Sequence, residues 1–85
     1  MTKINLQKLN KDFYETLDYI IEMQGLTRSR VCIMLGKSSS TLNKSKKQGE
    51  KLSWVSIGLF FEILNLLNCD PTFFFELMKA KYQRK

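Results

Sequence analysis

Leu26-Thr27-Arg28-Ser29-Arg30-Val31-Cys32-Ile33-Met34-Leu35-Gly36, continued by Lys37-Ser38-Ser39-Ser40-Thr41-Leu42-Asn43, is the stretch that decides how this 85-residue chain is read. Thr27 is an N-cap residue type, whose hydroxyl can accept one of the unpaired amide hydrogens that open a helix. Val31, Cys32 and Leu35 recur at helical spacing and predict an inward face on a short helix over 28–35. Gly36 ends it, because glycine enters the left-handed backbone of a helix stop without strain. A second short helix is predicted from Ser38 or Ser39 to Lys47, with a serine as cap and Gly49 as the stop. Leu42 is the only large apolar residue between Lys37 and Lys51. A helix with one burial point exposes Ser39, Ser40, Asn43, Lys44, Lys46 and Lys47, which is the pattern of an element that faces a polar partner or is weakly formed.

The flanks are apolar and helical. Leu9, Phe13, Leu17, Ile20 and Ile21 place one stripe on a first helix over 5–24, ended by Gly25. Downstream, Ser53 is the expected cap of a fourth helix running to Asn68, with Trp54, Ile57, Phe60, Phe61, Leu64 and Leu67 inward. Asp70-Pro71 pairs an N-cap with proline at the first helical position and launches a fifth helix through Phe74, Leu77 and Met78. The expectation is an all-α fold of five helices, with one domain over 1–78 and a basic tail over 79–85 that frays.

Composition narrows the function classes. The chain has no histidine, the commonest proton-transfer residue and metal ligand, and its two cysteines, Cys32 and Cys69, lie far apart in apolar contexts. With no paired acids on one face and no glycine-rich phosphate loop, an enzyme, a metal site or a cofactor is not expected. The cysteines read as reduced core thiols; no signal peptide precedes them, and the expected compartment is the cytoplasm. The most apolar run, residues 53–68, is broken by Glu62 and Asn65 and is too short to span a bilayer.

The net charge of +6 is unevenly placed. Arg28, Arg30, Lys37, Lys44, Lys46, Lys47 and Lys51 face only Glu50 within residues 28–51, so this segment alone matches the whole excess. Such a block attracts polyanions, with nucleic acid first and an anionic membrane second, or it forms a plain solvated face. An interfacial membrane helix would need an apolar face opposite the lysines, and the segment lacks one.

In their helix-turn-helix order, residues 26–36 and Ser39-Ser40-Thr41-Leu42-Asn43 closely resemble the DNA-binding domain of the Cro/phage-repressor (XRE-like) family. The resemblance covers about 13–77 and includes an apolar helix followed by Leu67-Asn68-Cys69-Asp70-Pro71. Cys32 stands where the family usually has a small alanine, and Ser45-Lys46 where it usually has Trp-Glu. The loop that follows is one residue longer and lacks the family's proline. The resemblance implies a five-helix lambda-repressor-like domain whose second and third helices form the helix-turn-helix, bound to double-stranded DNA as a small transcriptional regulator, a repressor of phage or mobile-element type.

In that geometry the second helix of the motif enters the major groove and the first crosses the backbone. The resemblance then puts Ser39, Ser40, Asn43 and Lys44 at base edges, where asparagine suits adenine and lysine suits guanine. Thr27, Arg28, Lys37, Lys46, Lys47 and Lys51 form the expected phosphate set, Arg28 by contacting a phosphate or by supporting the leading recognition residue. The serines could instead simply cap and solubilise a turn. Phe60, Phe61, Phe73, Phe74 and Phe75 are a surplus that cannot all face inward on two short helices, which predicts either a homodimer interface of Phe60, Phe73, Phe74 and Phe75 or an ordinary core with one or two surface phenylalanines; a dimer would reach half-sites about 34 Å apart. A second reading makes the protein an interaction module, such as an antitoxin or adaptor, that uses its apolar C-terminal helices. No small-molecule substrate is expected.

Overall fold

The computed structural model describes residues 3–39, 41–42 and 54–83, and among them the fold is all-α. Four helices are present there: α1 (Leu6–Met23), α2 (Arg28–Met34), α3 (Ile57–Leu66) and α4 (Pro71–Gln83). The predicted third helix falls mainly outside the described residues; of it, Thr41 and Leu42 form a single tight turn.

Three helices stop by the same device. After α1 the Gly25 amide donates to the Glu22 carbonyl and the Leu26 amide to Ile21; after α2, Gly36 donates to Ile33 and Lys37 to Cys32; after α3, Asn68 donates to Asn65 and Cys69 to Leu64. Each pair is the double hydrogen bond of a Schellman stop, which requires a left-handed residue just past the helix. Gly25, Gly36 and Asn68 supply it at φ 72°, 74° and 55°. The starts are capped as well: Asn5, Thr27 and Ser56 side chains accept from the Lys8, Arg30 and Leu59 amides, and Asp70 accepts from Thr72.

The core joins Phe13, Leu17, Ile20 and Ile21 of α1 to Val31 and Cys32 of α2, Leu42, Phe60, Ile63 and Leu64 of α3, Leu67, and Phe74 of α4. Phe13 lies at its aromatic centre, with ring centroids 5.1 to 6.0 Å from Tyr14, Trp54, Phe60 and Phe74, and Phe60 meets Phe74 at 4.9 Å. Tilted and edge-on pairs of this kind each add about 0.5–1.5 kcal/mol beyond area burial.

Two boundaries differ from the sequence reading. The fourth predicted helix starts three residues later, because Ser56 rather than Ser53 caps α3 while Trp54, still outside the helix, lays its ring near Phe13. The inward stripe of α3 is Phe60, Ile63, Leu64 and Leu67; Ile57, expected inside, is 74% exposed, and Phe61 is also exposed. The second correction concerns the tail. α4 continues to Gln83 instead of fraying from Lys79, because α1 holds it. The Asn5 amide donates to the Tyr82 hydroxyl (2.8 Å), Lys8 Nζ donates to the Lys81 carbonyl (3.1 Å), and Lys81 pairs with Glu15 (3.3 Å). These contacts run α4 antiparallel to α1. The same Lys8 ammonium satisfies Asp12, a carboxylate buried on α1, at 2.7 Å.

Candidate nucleic-acid interface

α2 is only seven residues long, so its ends and anchors decide its place. Thr27 caps it, with the hydroxyl oxygen 3.2 Å from the Arg30 amide. Val31 and Cys32 seal its inner side. At Gly36 no atom lies within 4 Å of where a Cβ would stand, so glycine is there for its left-handed φ and not for space. The chain then turns through Lys37 and Ser38; the Ser38 carbonyl accepts from both the amide (3.0 Å) and the hydroxyl (2.7 Å) of Thr41. Leu42 drops into the core at 2% exposure, as expected of the one burial point in the polar segment.

Arg28 ties α2 to α1. Its Nε donates to Asp18 Oδ1 (2.6 Å) and Nη2 to Asp18 Oδ2 (2.8 Å), a two-pronged pair with α1. Nη1 donates to the Leu42 carbonyl (3.0 Å), and the guanidinium lies over the Tyr14 ring at 5.1 Å. The Arg28 side chain is 12% exposed against 35% for Asp18. An open cleft of about 300 Å³ beside the first turn of α2 is lined by Asp18 and Glu22 together with Thr27, Arg28 and Ser29. A carboxylate already neutralises the Arg28 guanidinium and the neighbouring cleft carries acids, so a phosphate there would have to compete with Asp18.

The other predicted contact residues divide. Thr27, Lys37 and Ser39 are exposed, Lys37 with a long 3.9 Å approach to Glu62 of α3. Ser40, Asn43, Lys44, Lys46, Lys47 and Lys51 lie outside the described residues. Asp18, Tyr14 and Glu62 were not singled out by sequence reasoning as partners of the basic segment. Their contacts join separate elements of the chain, and no local periodicity reports them.

The four phenylalanines offered as a dimer surface do not share one. Phe60 and Phe74 are core residues, closed off by the rings around them. Phe73 and Phe75 are exposed but stand two residues apart on α4, about 200° around the helix. Phe75 sits by Phe60, whereas Phe73 shares a cleft with Met23 and Cys69. Exposed apolar side chains missed by sequence reasoning include Ile33 and Met34 on α2, Ile57 on α3 and Trp54 before it, whereas Phe61 is one of the surplus phenylalanines left outside.

Of the two thiols, Cys32 is buried and Cys69 half-buried, and both are free. Burial, and secondarily the Asp70 carboxylate, push the Cys69 pKa up. Among the described residues no cluster of metal-ligating side chains occurs, and no helix is long and apolar enough to cross a membrane. Comparison with protein-family models, with characterised proteins and with solved structures gives no significant match.

Proposed function

We propose that this chain is a sequence-specific double-stranded DNA-binding protein of the Cro/phage-repressor helix-turn-helix type, acting as a small transcriptional regulator and repressor. The observation that carries this reading is the capped α2, the left-handed stop at Gly36 and the buried Leu42, which together anchor the start of the chain's one strongly basic segment. In this proposal the polar segment after Gly36 is the recognition element of a five-helix domain. Ser39, Ser40, Asn43 and Lys44 reach bases, while Lys37, Lys46, Lys47 and Lys51, with the Thr27 hydroxyl, hold phosphates.

The test is enrichment of bound duplexes from a random pool, followed by titration of the enriched and a random duplex at one salt concentration. Specific recognition gives an affinity ratio of about 10³ or more, and a ratio below about tenfold overturns the reading. Homodimer formation is proposed through the exposed Ile57, Phe61 and Phe75 of α3 and α4, in place of the four phenylalanines of the sequence reading. It predicts a palindromic consensus, and a sedimentation mass that falls to the monomer in I57K.

The same exposed apolar residues favour the alternative, a protein-interaction module. A stoichiometric partner that co-purifies with the chain, together with a DNA affinity indifferent to K44A/K46A/K47A, would select it.

A further inference from the structure

The Arg28 guanidinium has three well-aligned acceptor contacts, two on Asp18 and one on the Leu42 carbonyl. The first two attach α2 to α1. The third reaches fourteen residues along the chain, to the carbonyl of Leu42, the residue before Asn43. Three donors on one rigid plane hold their acceptors in a fixed relation, which a lysine ammonium on a flexible stem does not reproduce. Tyr14 closes the face of that plane at 5.1 Å, so the group is screened from water more than a surface ion pair. Leu42 is thus held twice, by its side chain in the core and by its carbonyl on Arg28.

We infer that Asp18 and Arg28 form a positioning clamp that sets where the basic segment leaves the core, and that Arg28 serves DNA recognition through Leu42 and not by touching phosphate. This rests on the DNA-binding reading above and adds Asp18, an acid on α1, to the residues that decide specificity. Asp18 and Arg28 are then positioning residues. Their loss moves the base-reading side chains relative to the groove but leaves the lysines' general attraction for the phosphate backbone in place.

The two possible roles of Arg28 predict opposite results for conservative variants. The wild-type chain, R28K and D18N are titrated by fluorescence anisotropy, over a series of salt concentrations, with an enriched duplex and a random-sequence duplex. With a clamp, both variants weaken binding to the enriched duplex by about tenfold, while the salt slope on random DNA stays that of the wild type. With a phosphate contact, R28K binds as the wild type does, and D18N, which releases the guanidinium from its carboxylate, tightens binding to both duplexes and steepens the slope by about one. That second pattern overturns the clamp.

Hydrogen exchange in the free protein gives a readout that needs no DNA. The clamp predicts that D18N and R28K speed exchange of the Thr41 amide by about tenfold relative to α4 amides, and equal exchange overturns it. If the wild type binds neither duplex, the DNA-binding reading falls, and the exchange measurement still decides whether the clamp exists.

Discussion

Phe13 meets four aromatic rings at 5.1 to 6.0 Å where α1, α3 and α4 come together, whereas α2 and the segment beyond it reach the core through Val31, Cys32 and Leu42 and the Arg28 clamp. The first region is redundant: the rings of Phe13, Phe60 and Phe74 all touch one another, and the far end of α4 is pinned to α1 by Tyr82 and Lys81. In the second, among the described residues, Val31, Cys32 and Leu42 are buried, Leu35 packs beside them, and Arg28 adds a two-pronged polar tie to α1. An aromatic base that leaves Arg30, Lys37 and Ser39 exposed beside α2 suits recognition, since side chains there can be changed for a partner without disturbing the core.

The difference can be broken at either end. Phe74→Ala should have the largest effect, about 3–5 kcal/mol of stability, because it empties the fully buried centre of three helices. Urea denaturation should then show a midpoint lowered by a large fraction, since ordinary domains have only roughly 5–15 kcal/mol in total. Leu42→Ala should lower stability by about 2–3 kcal/mol, at the low end for leucine, with exchange rising first at Thr41 and only later in α4. Equal and simultaneous loss in both regions would erase the distinction between them.

Gly36→Ala is expected to lower stability by about 1–2 kcal/mol through left-handed strain alone, since an added Cβ would meet nothing within 4 Å. The smallest effect sharpens the picture of the base near α4. The Cys69 thiol, its pKa pushed up by burial and secondarily by Asp70, is less ionised at a given pH than an ordinary cysteine near pKa 8.5. Its alkylation rate should keep climbing above about pH 8.5, and a plateau at or below that pH would contradict the raised value.

Local chemistry was legible in the sequence wherever it was strong. Thr27, Gly25, Gly36 and the Asp70-Pro71 restart marked helix ends that α1, α2 and α4 adopt, and the stripe of Phe13, Leu17, Ile20 and Ile21 is the buried face of α1. Legibility ended where two signals were equally good or the cause lay far away in the chain. Ser53 and Ser56 are both serviceable caps. The α3 sequence is apolar nearly all round, so its period could not choose Ile63 over Ile57. Lys79 to Gln83 has no apolar rhythm, and its helix depends on Asn5 and Lys8, more than seventy residues away. The Arg28–Asp18 pair was not legible, because its two members sit on different helices, ten residues apart.

The central claim, that the limb beyond α2 and not the aromatic base meets DNA, is tested most directly by hydrogen exchange of the whole chain with and without an enriched duplex. The account predicts protection that begins at α2 and is strongest over residues 37–51, with α4 unchanged. Protection confined to the Ile57, Phe61 and Phe75 side, or none anywhere at saturating duplex, would contradict it.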